Sequence, residues 1–445
     1  MSEQKKKSEF GRTELSKAQR VSAKPRLAAT VWEGTKWFSR KTAKLFRDSA
    51  LLARPLKRKE EVRLSKIKEY LKPEEEARLT PLIKQGKVEI KLRKIDWSFL
   101  ISGKNIIPKL IFIEPENRKF NPDLDVEVKD KLWVEELDKK IRSKFLEIRF
   151  REFAERAWTS VPQFIAPNII GMQEIKHAAA LQLFCKEPAH ILLLGDPGTG
   201  KTDILRSAAE ISPISAIGLG SGTSGAGLAV TVQGKKVLPG LLPRAHKGIC
   251  CIDELNLMKK EDYAALYNAM EKGFITYDKG GHHYMFDALI KVLGTANPKG
   301  DKFNSYTIQG LKEQMPFDSA LLTRFHLTFI VKKASLSEFA EIAGKIVSED
   351  KVKVKPKDIL FLRKYAKFAN ALDAEIPKEL AEKITEFVTR LKEKESELLF
   401  EVTPRTVIGI TRLAKASARM ELRSVVEGKD LERVFNIVSK AYNAS

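Results

Sequence analysis

Residues 195–202 read Gly195-Asp196-Pro197-Gly198-Thr199-Gly200-Lys201-Thr202 and fit the phosphate-binding pattern G-x-x-x-x-G-K-[ST] at every position. The preceding run, residues 190–194, predicts a buried strand, and residues 203–210 predict the start of a helix. In that context the glycines let backbone N–H groups point at phosphate oxygens, and the helix adds the positive end of its dipole. We therefore expect a nucleoside triphosphate here, with Lys201 on its β- and γ-phosphates and Thr202 on Mg²⁺.

Polar side chains end two other apolar runs. Residues 248–252 lead into Asp253 and Glu254, and residues 291–296 lead into Asn297. We expect Asp253 to bind Mg²⁺ and Glu254 to polarise the water that attacks the γ-phosphate. Asn297 is placed to hydrogen-bond the γ-phosphate or to orient that water. Alone, each signal has a plainer interpretation, as a helix cap for the carboxylates and turn chemistry for the amide.

An arginine follows further along the chain, in the segment Leu321-Leu322-Thr323-Arg324-Phe325. The guanidinium of Arg324 is planar and always charged, so it matches phosphate oxygens well. Its position after the other motifs suggests contact with the phosphate of a neighbouring subunit. An ordinary surface ion pair is the alternative use of such a residue.

Composition excludes several classes of protein. The chain has 445 residues, 43% of them hydrophobic, which is enough for two to four packed domains. No apolar run approaches the roughly 20 residues of a membrane helix, and the N-terminus does not lead into a signal segment. The three cysteines lack metal-ligand spacing, the two adjacent ones are expected to be buried, and a reducing compartment is favoured. They are Cys185, Cys250 and Cys251.

The chain is strongly basic, with a net charge of +22. Residues 1–60 contain 17 Lys and Arg against 6 Asp and Glu. Such an excess favours polyanions through counterion release, whereas a solubilising tail explains residues 1–25 equally well. Residues 31–52 interleave aromatic and basic side chains, which fits a strand-binding arm, a membrane-surface helix or a helix docked on the protein itself.

Patterns of hydrophobicity divide the chain into parts. We expect residues 60–80 to be helical, residues 87–92 to form a half-buried strand, and residues 132–158 to return to helix. Between these segments the further strand candidates are residues 97–101, residues 110–113 and, more weakly, residues 124–128. From Pro162 to Val331 strands and helices alternate, which is typical of an α/β nucleotide-binding domain. From residue 334 onward one helix follows another, with a joint at Pro404.

The order of these motifs resembles that of an AAA+ ATPase, and their detail is similar to the minichromosome maintenance (MCM) helicase family. The resemblance covers about residues 160–425. In chain order, the similar segments are residues 164–171, 195–202, 225–232, the strand ending at Asp253 and Glu254, and residues 269–271, 296–298 and 321–325.

The resemblance implies a role for each matching residue. Lys201, Thr202, Asp253, Glu254 and Asn297 match the ATPase residues that a subunit supplies to its own site. Arg324 matches the arginine finger, and Arg405 matches the sensor-2 arginine, both of which act across the subunit boundary. Residues 230–243 match the helix-2 insert, and residues 274–281 match a DNA-contacting hairpin whose lysine is Lys279. A lysine at a hairpin tip suits contact with a backbone phosphate, although a solvated charge is the plainer interpretation.

The predicted fold is α/β: an AAA+ P-loop NTPase domain, with a parallel sheet and helices on both faces, then a C-terminal helical lid. We expect a basic arm over residues 1–59, a mixed or β-rich module over 60–158, the ATPase core over 159–332 and the lid over 333–445. The resemblance implies ATP and Mg²⁺ as cofactors, a hexameric homo-oligomeric ring, single-stranded or forked DNA, and replication or loading factors. It implies a cytoplasmic, nucleoid-associated protein of a prokaryote, with an archaeal source favoured.

The chain departs from the family pattern in several places. No cysteine precedes Cys185, so we expect no cysteine-built zinc site in the N-terminal part. Because few residues follow the predicted lid, we also expect no winged helix after it. Asn256 and His326 stand where the family commonly has acidic residues, and Leu289 where it has an arginine. Two other functions therefore stay open. One is a protein remodeller like the MoxR or magnesium-chelatase ATPases, and the other is a DNA-bound scaffold that switches on ATP binding.

Overall fold

A computed structural model describes residues 56, 58–94, 106–113, 124–222, 225–233, 236–279, 282–348 and 352–443. The predictions for residues 31–52 and for a strand over residues 97–101 lie outside these residues, as does the basic arm apart from residues 56, 58 and 59. The chain divides into two compact units. The first comprises residues 1–92 and 108–141, and the second comprises residues 93–107 and 142–445.

The first unit is a mixed helix–strand module. Its elements are α1 (Arg58–Ser65), α2 (Pro73–Lys84), β1 (Val88–Lys94), β2 (Ile106–Phe112) and the N-terminal part of α3 (Leu124–Ala154), with β1 pairing to β2. The strand predictions for residues 87–92 and 110–113 are confirmed. The helix predicted over residues 60–80 is interrupted, because Pro73 begins a new helix at its first position.

The strand predicted over residues 124–128 is wrong, because these residues begin the long helix α3. Their short alternation of apolar and charged residues fits a strand, but the residues that follow have a helical period. Val134, Leu137 and Ile141 are buried at the spacing of one helix face. Burial of that face therefore decides the conformation of the whole segment.

The second unit contains a five-stranded parallel sheet. Its strands are β3 (Ile191–Gly195), β4 (Ser215–Leu219), β7 (Ile249–Asp253), β10 (Lys291–Ala296) and β11 (Leu327–Val331). Their order is β11-β3-β10-β7-β4, so β10 lies between β3 and β7. The carboxyl ends of these three strands, which precede the predicted site residues, therefore meet at one edge of the sheet.

Helices cover both faces of this sheet. Alternate residues of the central strands enter two different hydrophobic clusters, as with Cys251 on one face and Cys250 on the other. Both cysteines are buried, as predicted, and Cys185 is buried as well. The helices before the lid are α4 (Ala157–Ser160), α5 (Gln173–Leu183), α6 (Lys201–Ile211), α7 (Gly225–Ala229), α8 (Leu241–Arg244), α9 (Tyr263–Lys272), α10 (Ile308–Glu313) and α11 (Ser319–Leu322). The α/β prediction is confirmed.

Two antiparallel hairpins interrupt the alternation of strands and helices. One joins β5 (Val230–Gln233) to β6 (Lys236–Pro239), within the segment predicted as the helix-2 insert. The other joins β8 (Phe274–Lys279) to β9 (His282–Asp287). Lys279 pairs with His282 at the end of the second hairpin, so the predicted DNA-contacting lysine is at the last backbone pair before the turn.

The C-terminal part is helical, as predicted. Its helices are α12 (Leu336–Val347), α13 (Pro356–Ala369), α14 (Lys378–Glu393), α15 (Pro404–Met420) and α16 (Gly428–Tyr442). Pro404 is the first residue of α15, where its missing N–H costs no helical hydrogen bond. Within the described ranges, none of the helices has the length and apolar character of a membrane span.

Two histidines pack at the end of the sheet opposite the predicted site. His326, where an acidic residue was expected, accepts a hydrogen bond at Nδ1 from the backbone N–H of His190 (3.0 Å). His190 accepts one at Nδ1 from Val292 N–H (3.1 Å). Burial lowers the pKa of His190 to about 3 and that of His326 to about 2. Both imidazoles are therefore neutral hydrogen-bond acceptors in the folded protein.

This pair is expected to make the fold sensitive to acid. In the unfolded chain both histidines take up a proton near the ordinary pKa of 6.5, and in the folded chain they do not. Unfolding therefore binds protons, and stability falls as the pH drops below 6.5 towards the folded pKa values. Each histidine contributes a slope of about 1.4 kcal/mol per pH unit. Urea unfolding at a series of pH values measures it.

The variant His326→Asn separates this effect from the titration of carboxylates. Its amide oxygen can still accept the His190 N–H, but it does not titrate. The free energy of unfolding of this variant is expected to vary less with pH, by about 1.4 kcal/mol per unit. An unchanged slope in the variant contradicts the assignment.

Candidate active site

The predicted nucleotide site is a cleft at the carboxyl edge of the parallel sheet. Its volume is about 280 Å³. The cleft is lined by Ile169, Pro197, Gly198, Thr199, Gly200, Lys201, Thr202, Asp203, Asp253, Glu254, Thr295 and Asn297. The strand order explains this convergence, because β3, β10 and β7 lie side by side and each ends at the cleft. Three separate sequence motifs therefore meet at one place.

The phosphate loop has the backbone that its glycines predict. Gly200 has a φ of 82° and precedes the first turn of α6, which begins at Lys201. A side chain at this position would be strained by the positive φ, and its Cβ would also lie 2.9 Å from Ile169 Cδ1, which would have to move. The N-terminus of α6 opens into the cleft, where its free N–H groups favour an anion.

The ammonium group of Lys201 is held at the base of this loop. Its Nζ donates to the carbonyl oxygens of Gly195 (2.8 Å) and Asp196 (2.7 Å). Burial lowers the pKa of Lys201 to about 8, and the carboxylates of Asp196, Asp253 and Glu254 oppose that shift. Phosphate oxygens in the cleft would favour the charged form further.

Two residues of the motif lie behind the loop and do not line the cleft. Gly195 ends β3, and the buried Asp196 carboxylate accepts a hydrogen bond from Phe303 N–H (2.8 Å). The other Asp196 oxygen is 3.5 Å from Lys333 Nζ. The side chain of Asp196 therefore anchors the loop to the body of the domain. The prediction that Asp196 binds phosphate therefore concerns its backbone N–H group and not its side chain.

The residues predicted to bind Mg²⁺ are neighbours. Thr202 Oγ1 donates to Asp253 Oδ1 at 3.1 Å, so a hydroxyl and a carboxylate oxygen share one corner of the cleft. Hard oxygen donors of this kind fit Mg²⁺, which usually takes its other ligands from water and substrate phosphates. Within the described residues, no group of three or more His, Cys, Asp or Glu side chains could hold a metal. A Mg²⁺ ion at this corner would therefore depend on the nucleotide.

Thr295 joins Asp253, the last residue of β7, to Glu254, which follows it, and sequence reasoning did not find this role. Its hydroxyl donates to Asp253 Oδ1 (2.5 Å) and accepts from the backbone N–H of Glu254 (3.0 Å). Glu254 has a left-handed φ of 54°, which few residues other than glycine adopt. The backbone of Glu254 in this conformation passes close to Gly220. Any side chain at position 220 would prevent this, because a Cβ there would lie 2.1 Å from the Glu254 carbonyl oxygen. Thr295 therefore fixes the carboxylate of Asp253, predicted to bind Mg²⁺, and the backbone of Glu254, predicted to activate water.

Asn256 has a similar positioning role. Its Oδ1 accepts a hydrogen bond from the backbone N–H of Asn297 at 3.0 Å. The bond links the loop after β7 to the end of β10, where Asn297 faces the cleft. The family's common acidic residue also has an oxygen at this position, so the amide preserves the acceptor.

The predicted arginines lie together, away from the cleft. Arg324 Nη2 is 3.1 Å and Arg405 Nη2 is 2.6 Å from the same oxygen of Glu271. The Arg324 guanidinium stacks 4.1 Å above the ring of Tyr267, and Arg405 Nη1 donates to the carbonyl of Thr323 (3.0 Å). A hydrogen bond from Arg405 and the charge of Arg324 lower the pKa of Glu271. Neither arginine lines the cleft of its own chain.

Replacing Thr295 tests its positioning role. Thr295→Val keeps the shape of the side chain and removes both hydrogen bonds, so kcat for ATP is expected to fall about 10- to 100-fold. Thr295→Ser retains the hydroxyl and is the matched control, which should restore most of kcat. Because the phosphate loop is untouched, KM for ATP should change little, while the Mg²⁺ concentration for half-maximal rate rises. Equal losses in both variants contradict the role.

A phosphate loop and two carboxylates on a parallel sheet, followed by a helical lid, define an α/β nucleotide-binding domain of the P-loop class. Residues 147–350 match the family model described as the MCM P-loop domain, and residues 360–442 match that described as the MCM AAA-lid domain. The two matches together span more than half of the chain. The chain belongs to the minichromosome maintenance (MCM) family.

Relatives from different domains of life agree with the family models. The chain is 31% identical over 327 residues to the minichromosome maintenance protein MCM of Saccharolobus solfataricus, covering 68% of this chain and 47% of that protein. It is 28% identical over 335 residues to the DNA replication licensing factor mcm7-B of Xenopus laevis, covering 69% of this chain and 45% of that protein. The chain therefore spans less than half the length of these relatives.

Proposed function

We propose that this chain is an ATP-dependent DNA translocase and helicase of MCM type. In this proposal ATP is hydrolysed between adjoining copies in a hexameric ring that moves on single-stranded DNA during replication. The core, residues 159–332, supplies the cleft, and the lid, residues 333–445, supplies Arg405. The observation that carries the proposal is the separation within one chain of the cleft from the paired arginines Arg324 and Arg405.

Each residue of the cleft has a separate task in the proposed reaction. The backbone N–H groups of the loop and Lys201 bind the phosphates, and Thr202 with Asp253 would hold Mg²⁺. The metal ion would neutralise charge on the phosphate oxygens. Glu254 orients and polarises the attacking water, and Asn297 faces the same space from the end of β10.

A second copy would complete the site. Arg324 is kept in place by Tyr267 and Glu271 rather than left free in solvent, so little side-chain entropy is lost when it meets a phosphate. An arginine supplied in this way stabilises the charge that develops on the transferred phosphoryl group. The shared carboxylate of Glu271 keeps Arg405 beside it, so the two guanidinium groups would arrive together.

Contact with DNA is assigned to the β8–β9 hairpin. Lys279 forms its last backbone pair, where a lysine meets a phosphate without reading the base. In a ring, one such hairpin from each copy would follow the backbone of a single strand, and the net charge of +22 would favour its approach.

The proposed activity is tested by two measurements on the full chain. ATP hydrolysis is expected to rise when single-stranded DNA is added, and a forked duplex should be unwound only with ATP and Mg²⁺. Absence of DNA binding at moderate salt overturns the proposal. A rate of ATP hydrolysis that does not change when DNA is added, together with a protein client captured from solution, indicates a protein remodeller instead. DNA binding that depends on ATP without turnover indicates a switched scaffold.

A further inference from the structure

The lid helix α13 carries basic side chains along its exposed face. Lys357, Lys364 and Lys367 are exposed and recur at helical spacing, so they follow one side of the helix over about 15 Å. The single carboxylate of this helix, Asp358, is only 1% exposed. Among the described residues, none of the three lysines forms an ion pair. We call these three residues the lid stripe.

Helix stability accounts for one residue of the lid stripe, Lys367 in the last turn, where a cation favours the helix dipole, but not for the stripe as a whole. Lys364 and Lys367 are three residues apart, where like charges repel, and Lys357 in the first turn opposes the helix dipole. The next helix, α14, is built differently. Its four basic and four acidic residues are interspersed along the sequence, with Arg390 and Glu386 paired at 3.3 Å. Of these two neighbouring lid helices, α14 has mixed charge and α13 has an uncompensated positive face.

We infer that the lid stripe binds the phosphate backbone of a polynucleotide. A lysine is a flexible point charge suited to phosphate, and three in a row favour a polyanion through counterion release. The exposed residues of α13 include no aromatic side chain, and Leu360 is the exposed apolar residue between the lysines. Bases therefore have nothing to stack on, so the contact is independent of sequence.

The lid stripe lies on a helix that touches the element carrying the phosphate loop. Arg363 Nε, also on α13, donates to the carbonyl oxygen of Glu210 at 2.6 Å. Glu210 is in the last turn of α6, and this helix begins with Lys201. The lid stripe and Lys279 belong to different elements, so a polynucleotide on the lid stripe makes a contact separate from the one proposed for Lys279. The inference rests on the proposed function only in naming DNA as the polynucleotide.

A triple variant tests the lid stripe. K357Q/K364Q/K367Q removes three charges from exposed positions and keeps residues with good helix propensity. The matched control, K378Q/K383Q/K394Q, removes three exposed charges from α14 and its C-cap, where acidic neighbours are present. Binding of both variants and the unaltered chain to a fluorescent oligothymidylate is measured between about 50 and about 200 mM salt. Thermal unfolding checks that each variant is folded.

The lid-stripe variant is expected to bind the oligothymidylate more weakly than the unaltered chain. The slope of log affinity against log salt should be smaller in magnitude by about 2, because each of the three lost phosphate contacts with a single strand accounts for about 0.7. The control variant should retain most of the affinity and most of the salt slope. Equal losses in the two variants, or no loss in either, overturn the inference while leaving the proposed function intact. Absence of DNA binding by the unaltered chain overturns the proposed function. A lid-stripe variant that binds DNA normally but loses polyglutamate indicates an acidic protein partner and also overturns the inference.

Discussion

Glu254→Gln is expected to lower the rate of ATP hydrolysis by about 10²- to 10⁴-fold, the usual contribution of a positioned general base. The amide keeps the size of the side chain and the backbone bond to Thr295, but it cannot accept a proton from water. Nucleotide binding depends on the loop and on Lys201, so ATP should still bind and remain uncleaved. Single-turnover hydrolysis and equilibrium binding of radiolabelled ATP measure the two effects separately.

The same substitution at Glu261 is the matched control. Its carboxylate is 75% exposed and lies seven positions further along the chain than Glu254, outside the cleft. Glu261→Gln should leave turnover within the error of the assay. Survival of turnover in Glu254→Gln would show that another group activates the water, and the assignment of Glu254 would then be wrong.

The main residues of the cleft were predictable because each closes a run of buried residues. Parallel strands buried on both faces appear in sequence as short apolar runs, and β3, β7 and β10 are all of this kind. The carboxyl ends of such strands gather at one edge of a sheet, so Asp253, Glu254 and Asn297 could be placed beside the loop without a structure.

The positioning residues were not predictable in this way. Thr295 looks like one more residue of a buried strand, since a single hydroxyl hardly changes the apolar pattern. Its role depends on the pairing of β10 with β7, which brings its hydroxyl to the end of the neighbouring strand. Asn256 and Glu271 likewise act through partners 41 or more positions away in sequence. Local patterns carry no information about such partners.

The N-terminal unit shows the opposite limit. The strand expected over residues 124–128 fails because five alternating residues fit either conformation, and the helical burial of residues 134–141 settles the choice. The break in the helix predicted over residues 60–80 was readable, since Pro73 is a good first residue of a helix and a poor interior one. Boundaries therefore depended on single residues, whereas the type of element depended on longer-range packing.

Arg324→Ala is expected to reduce ATP turnover by about 10³- to 10⁵-fold, the range for an arginine that stabilises a transferred phosphoryl group. Within its own chain Arg324 contacts Tyr267 and Glu271 and not the cleft. The loss should therefore appear in kcat, with ATP binding by each isolated chain unchanged. Arg390→Ala, which removes an arginine that pairs with Glu386 on the exposed surface of α14, is the control and should retain full turnover.

Mixing two inactive variants distinguishes an action between chains from an action within one. A chain with Glu254→Gln retains Arg324, and a chain with Arg324→Ala retains Glu254. When the two are mixed in equal amounts, about one quarter of head-to-tail interfaces pair an intact cleft with an intact arginine. Turnover should therefore reappear on mixing and rise with protein concentration. Two outcomes would contradict this prediction: a mixture that stays as inactive as its components, and an unaltered chain that hydrolyses ATP at full rate as a monomer. In either case Arg324 does not act across an interface, and its separation from the cleft has another cause.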